Sequence, residues 1–404
     1  MPTPQNFLWG TAISAHQSEG GNVSSDAWLQ EHVTPTAFRE KSGDACDSLN
    51  RYGEDIALAA ELGFNTHRFG IEWARIEPEP GEFSQAALDH YARVLDTCGA
   101  HKLTSMVTFS HFTVPRWFAA RGGFEAPDSA DLFARFASRT AKTLAAKMDY
   151  ASTFNEANIG RLVQIMFGSA KRTERVTQMQ AACAKACGAD RFSSILFGDV
   201  AAMEPNLVKA HTLAMQAIKA ERDIPVGATL TMQDIQAVGE GAGVKEHTET
   251  LYGPWLEAAK TSDFVGVQTY TRFRVGAEGP LGPPEGAEMT AARYEFYPPA
   301  IGGTIRFAAR EIGRPIIVTE NGIATDDDTR RIAYIDGALD AVRACIADGI
   351  DVRGYIHWSL LDNFEWTAGY GQHFGLVEVD LKTFKRTPKP SARYLGQRAR
   401  ENRV

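Results

Sequence analysis

Two glutamates stand where short hydrophobic runs end, in Thr153-Phe154-Asn155-Glu156 and in Val318-Thr319-Glu320-Asn321-Gly322. A pair of carboxyl groups suits cleavage of a glycosidic bond. One acid must protonate the leaving oxygen, and one carboxylate must meet the anomeric carbon, directly or through water. The two residues are far apart in sequence, so they can act together only if the fold brings both run ends to one face. Each could equally be half of an ion pair at a protein rim, and the pair alone leaves both readings open. Another apolar run carries Arg68, and His111, Tyr270 and Trp358 stand at or near the ends of others.

The elements that must position these residues alternate along the chain. Apolar and β-branched runs at 7–12, 66–73, 103–110, 151–155, 225–232, 263–270, 315–319 and 352–359 read as strands. Helical periodicity marks 52–62, 85–98, 130–146, 206–220, 304–311 and 331–348 between them. Eight strand–helix units in one series predict an α/β fold: a single (β/α)8 TIM barrel spanning residues 1–404 as one catalytic domain. The Gly- and Pro-rich stretch 276–288 reads as a loop between two units, not as a domain boundary. In such a barrel the C-terminal strand ends open onto the active site, which is where the two glutamates fall.

Composition narrows the function classes. The 404 residues are 44% hydrophobic and 23% charged, which is ordinary for a globular chain. Fifty acidic against 42 basic residues give a formal charge of −8, which predicts neither a nucleic-acid nor an anionic-membrane partner. No stretch approaches the roughly 20 apolar residues of a bilayer span, and the N-terminal residues show no secretory signal. Cys46, Cys98, Cys183, Cys187 and Cys345 are odd in number and scattered. Cys183 and Cys187 have the spacing of one helical turn, but no second ligand pair accompanies them. The expectation is therefore no disulfide framework, no metal, no cofactor and a reducing, cytoplasmic setting. Nothing in the chain speaks to oligomeric state.

The motifs around the strand ends resemble those of glycoside hydrolase family 1 from about residue 7 to residue 395. They are Phe7-Leu8-Trp9-Gly10-Thr11-Ala12 with Gln17-Ser18-Glu19-Gly20, and Arg68-Phe69-Gly70-Ile71-Glu72-Trp73-Ala74-Arg75-Ile76. Val107-Thr108-Phe109-Ser110-His111-Phe112 and the two glutamate motifs follow. His357-Trp358-Ser359-Leu360-Leu361-Asp362-Asn363-Phe364-Glu365-Trp366 completes the set. One such peptide is weak; all of them in family order are specific.

The resemblance implies a retaining β-glycosidase, most simply an exo-acting β-glucosidase with side activity on β-galactosides and β-fucosides. It makes Glu156 the general acid and then the base, and Glu320 the nucleophile, with carboxyls roughly 5–5.5 Å apart. Arg68 and Tyr270 would keep Glu320 ionised and aimed, and Asn155 would bond the sugar 2-OH. Gln17, His111, Glu365 and Trp366 match residues that hold the other hydroxyls, Trp358 the floor, and Phe374 the rim. A carboxylate at Glu365 opposes a 6-phosphate, and phospho-sugar members carry small polar and basic residues there instead. Glu, not Gln, at 156 speaks against a thioglucosidase.

Three positions depart from the family pattern: Phe112 replaces the common Trp, Gln268 a common Asn, and His16 a common Tyr. The chain is also short for the family, which implies trimmed loops and a wider aglycone side, with Tyr294 and Phe296 as an aromatic wall. Two alternatives stand beside the glucosidase reading. One is a family member that mainly transfers sugar to an alcohol or another sugar. The other is a catalytically silent sugar-binding barrel, which the retained Glu156, Glu320 and Arg68 disfavour.

Overall fold

The computed structural model describes residues 3–167 and 174–404. Eight parallel strands close into a barrel: β1 (Leu8–Ala12), β2 (Thr66–Gly70), β3 (Thr104–Ser110), β4 (Tyr150–Phe154), β5 (Val226–Thr231), β6 (Phe264–Gln268), β7 (Ile316–Asn321) and β8 (Val352–Trp358). They pair in sequence order, and β8 returns to β1. All eight predicted strands are present, as the α/β barrel expectation requires.

Alternation along each strand explains the closure. Val265 and Val267 of β6, Ile316 and Val318 of β7, and Tyr355 of β8 join the large apolar cluster that includes the surrounding helices. Their neighbours Phe264, Ile317 and Ile356 join a second cluster with Leu8 and Met106, the apolar floor of the barrel lumen. A Cβ on Gly227 of β5 would collide with the Phe264 ring, so this ring fills the lumen only because position 227 has no side chain. Above the floor the inward residues turn polar, ending in Arg68, Gln268 and Glu320.

The helices form where periodicity and capping agree. Gln85–Ala100 starts on Ser84, whose hydroxyl accepts from the Ala87 amide at 3.2 Å, and buries Leu88, Tyr91, Leu95 and Cys98. Ser48–Leu62 ends at Gly63 with φ 104, a left-handed position that suits glycine. The helix Val244–Lys260 escapes the sequence pattern because Pro254 interrupts its periodicity.

Two local expectations are corrected. The stretch 276–288 is not all loop: Arg272–Gly276 and Gly279–Leu281 form an antiparallel hairpin, with Asp234–Ala237 pairing parallel on the far side. The second strand stops at Gly70, because Trp73–Ile76 forms a short helix whose first turn is capped by Glu72. Among the described residues no helix is long and apolar enough to cross a membrane.

One aromatic cluster supports the fourth strand. Phe133, fully buried, stacks on Phe154 with ring centres 4.5 Å apart and also touches Trp73 and Phe124. Phe133→Ala is expected to cost about 3–5 kcal/mol, read as a lower urea midpoint. A loss below about 1 kcal/mol would mean that the cluster closes over the gap.

Candidate active site

Glu320 lies near the C-terminal end of β7 at an irregularity. Pairing with β6 shifts register between Val318 and Glu320, and pairing with β8 shifts between Val318 and Asn321. Such a bulge re-aims a side chain. Asn321 secures this turn: its amide donates to the Thr269 carbonyl at 2.6 Å, and its oxygen accepts from Tyr355 at 2.8 Å.

Glu156 follows β4 with φ 41, a left-handed conformation uncommon for a non-glycine residue and concentrated at functional sites. The surroundings hold it there. Asn155 N–H donates to the Ser110 carbonyl at 2.8 Å, and the Asn158 side chain exchanges two hydrogen bonds with the Thr231 backbone, both 3.0 Å. β3, β4 and β5 thus share the turn that presents Glu156.

Around Glu320 the polar groups converge. Arg68 Nη1 donates to Oε1 at 2.5 Å, and Tyr270 Oη donates to Oε2 at 2.7 Å. Arg68 Nη2 also donates to Asn155 Oδ1 at 2.6 Å, and Gln268 Nε2 donates to the same oxygen at 2.8 Å. With Oδ1 doubly occupied, Asn155 presents its amide hydrogens to a ligand. Tyr270 lies two residues past β6, and its carbonyl accepts from Tyr334 on the helix Asp328–Ala347 at 2.8 Å. Four of the predicted residues, Arg68, Tyr270, Asn155 and Gln268, therefore connect to Glu320 directly or through one another.

Burial pushes both carboxyls above the usual range. Glu156 is raised to about 8 by burial and then by the charge of Glu320, against the Thr231 hydroxyl and Arg68. For Glu320 burial also raises the pKa, but Arg68, Tyr270 and Gln268 act directly against it. Among the described residues only Glu320 has a guanidinium in contact, so the pair's proton resides on Glu156. Burial and the two glutamates lift the Tyr270 hydroxyl well above its ordinary value, so it stays a donor. One protonated carboxyl beside one carboxylate is the arrangement that acid-assisted glycoside cleavage requires.

The other predicted residues form a second group. His111 stacks on Trp358 with centres 5.3 Å apart, and lies parallel to Trp366 at 6.5 Å. Burial and Arg68 hold the His111 imidazole well below its ordinary pKa, so it is neutral. Trp358 Nε1 donates to Glu365 Oε1 at 3.4 Å. Phe374 sets its ring edge-on to Tyr270 at 6.0 Å. Phe112, with φ 72, packs edge-on against Trp366 at 5.4 Å.

Some expectations change on contact with the geometry. Gln17 is fully buried, and its amide donates to the Phe364 carbonyl at 2.9 Å and to Asn363 at 3.3 Å. It thus ties the first strand's extension to the Glu365 loop. Burial, followed by Glu320 and Asp362, drives the Glu365 carboxyl well above its ordinary pKa, so it is less reliably charged than the 6-phosphate argument assumes. The aromatic wall is divided: Tyr294 approaches Tyr270 at 6.1 Å, whereas Phe296 packs outward on Tyr334 at 5.6 Å. Thr231 and Tyr334, which shape the two glutamates' surroundings, carry no sequence signal beyond an apolar strand and a helical period. Among the described residues no group of three His, Cys, Asp or Glu side chains is placed to hold a metal ion, and all five cysteines are free.

The family described as "Glycosyl hydrolase family 1" matches residues 1–185 and 259–404. The interval between them still supplies β5, which closes the barrel. A β-glucosidase of an Agrobacterium species is 31% identical, covering 97% of this chain and 94% of its own length. The aligned length of 437 positions exceeds the 404 residues here, so the shortfall falls in gaps within a full-length match. Among solved structures, an apo β-glucosidase superposes with a TM-score of 0.95 at 50% identity, covering 98% of this chain and 99% of its own. A crystal structure of a β-glycosidase gives the same score at 47% identity, covering 100% and 98%. Because the match takes in both glutamate-bearing strand ends, and full-length relatives are β-glucosidases, the chain is a glycosidase and belongs to glycosyl hydrolase family 1.

Proposed function

We propose that the protein is a retaining, exo-acting β-glucosidase on unphosphorylated β-glucosides, working as one unit over residues 1–404. The observation that carries this reading is the unequal treatment of two buried carboxyls: Glu320 is held by Arg68 and Tyr270, whereas among the described residues Glu156 meets the Thr231 hydroxyl and a more distant Arg68. In the first step Glu320 attacks the anomeric carbon as Glu156 gives its proton to the departing oxygen, leaving a glycosyl ester and a free alcohol. Ester formation removes the charge on Glu320, so Glu156 becomes acidic enough to stay ionised. It then takes a proton from water, which attacks the ester, freeing Glu320 and releasing the sugar with its original β configuration. Asn155 would hold the 2-OH, and Gln17, His111, Gln268, Trp358, Glu365, Trp366 and Phe374 the remaining sugar surface. The β-glucosidase names of the Agrobacterium and apo-structure relatives support the sugar assignment.

Glu365 still disfavours a 6-phosphate, because the other groups that raise its pKa, Glu320 and Asp362, are acidic too. A chain shorter than its aligned relative supports a shallow aglycone side, with β-galactosides, β-fucosides and acceptor alcohols as secondary partners. The free cysteines accord with a reducing, cytoplasmic setting.

The test is a panel of 4-nitrophenyl glycosides: β-glucoside, β-galactoside, β-fucoside, β-mannoside, α-glucoside and the 6-phosphate of the β-glucoside. The β-glucoside should lead, and both the α-glucoside and the 6-phosphate should stay silent. Silence across the β-glycosides from folded protein would remove the glucosidase reading. Glucose alone as product, even with added methanol, would remove the transfer activity.

A pH dependence follows from the proton on Glu156. The acid must be protonated for the first step, so kcat/KM on cellobiose should hold below, and fall as pH rises through, about 8. A profile flat through that value would show that Glu156 is not the acid.

A further inference from the structure

We propose that Glu31, acting through His16, is a positioning residue that sets the plane of Trp366 and so the discrimination between sugars differing at C4 or C6. The inference rests on the reading above that Trp366 touches the sugar. Trp366 sits at φ 48, in the left-handed region that costs a bulky residue free energy, so its neighbours must hold it there. One face of its indole lies against the His16 ring, with centres 5.5 Å apart and planes 12° from parallel.

His16 in turn is oriented at both nitrogens. Asn22 Nδ2 can only donate, so His16 Nδ1, 3.1 Å away, accepts. Nε2 therefore carries the hydrogen and donates to Glu31 Oε1 at 2.7 Å. Both side chains are fully enclosed. The second Glu31 oxygen accepts from the Ser42 amide at 2.8 Å and from its hydroxyl at 2.7 Å. Each oxygen of this buried carboxyl thus has a directed partner, as burial demands.

The contacts then close on themselves. The Ser42 carbonyl accepts from Tyr370 Oη at 2.5 Å, and the Tyr370 amide donates to Glu40 at 2.8 Å. Gly369 N–H returns to the Trp366 carbonyl at 3.0 Å. The ring contact and the backbone of Trp366 are therefore set by the same segment, 31–42, which lies outside the barrel strands. A fully apolar packing of similar volume could fill the space, but it would not fix a ring plane through directed bonds.

The test compares kcat and KM on 4-nitrophenyl β-glucoside, β-galactoside and β-fucoside for the parent, Glu31→Gln, His16→Phe, both together, and Trp366→Ala. Glu31→Gln is expected to move the glucoside-to-galactoside ratio of kcat/KM by about tenfold, chiefly through KM. His16→Phe keeps the stack without the hydrogen bond and should move it the same way. The double variant should add little to either, since both break one circuit. If Glu31→Gln does not fold, His16→Phe carries the test alone. A ratio shifted by Trp366→Ala but held within about twofold by Glu31→Gln and His16→Phe would overturn the positioning role. A ratio unmoved by Trp366→Ala would instead overturn the sugar contact on which the role rests.

Discussion

Glu320→Ala is expected to lower kcat/KM on 4-nitrophenyl β-glucoside by at least about 10⁴-fold. On the proposed mechanism the substitution removes the group that forms the glycosyl ester, and it takes from Arg68 and Tyr270 the carboxylate they hold. A nitrophenolate departs readily, so a defect this large on that substrate cannot be blamed on leaving-group protonation. The shortened side chain also leaves room for a small anion. Added azide should enter from the face that Glu320 occupied and displace the nitrophenolate once, giving the α-glucosyl azide. The product's anomeric configuration, read by proton NMR, is the deciding measurement. A β-azide, or a rate within tenfold of the parent, would remove Glu320 as nucleophile. Because Arg68 keeps Asn155 as a partner but loses its charge partner, a thermal melt should accompany the assay. An uncompensated buried cation destabilises by a few kcal/mol.

Glu156→Ala should behave differently, and the difference is its signature. On cellobiose, whose leaving group needs a proton, kcat/KM should fall by about 10²–10⁴-fold. On 2,4-dinitrophenyl β-glucoside the same constant should change little, because that phenolate leaves unaided. The second step still lacks its base, so the glycosyl ester should accumulate and a rapid burst of dinitrophenol should precede slow turnover. Azide should relieve the slow step by attacking the ester on the face that Glu156 vacates, which yields the β-glucosyl azide. The alkaline fall in kcat/KM near pH 8 should vanish with the residue that causes it. An equal loss on both substrates would mean that Glu156 binds sugar without transferring a proton.

Much of the site was legible in contiguous residues. Asn155-Glu156 and Glu320-Asn321 follow apolar runs because a parallel barrel strand, covered on both faces, must be apolar until it reaches the mouth. Trp358 was found by the same rule, whereas Arg68, inside its strand, was found by the resemblance of its motif. Tyr270 was assigned to the end of a strand that stops at Gln268, since apolar periodicity does not show where pairing ends. Phe296 could not be told from Tyr294 by sequence, because the bridge between Met289 and Glu295 and the approach of Tyr334 decide which ring turns inward.

What the sequence determined by itself is the chemistry available: eight strand–helix units, two glutamates at their ends, and an arginine and a tyrosine near enough in barrel order to reach them. Only the tertiary structure decided how that chemistry is divided. The bulge in β7 aims Glu320 at Arg68 and Tyr270, while Glu156 meets burial and a neighbouring negative charge. Those influences come from different strands, act over a few ångströms, and depend on the exclusion of water. Proton placement is therefore a property of the assembled barrel mouth, to which several strands contribute side chains and in which none holds the arrangement alone.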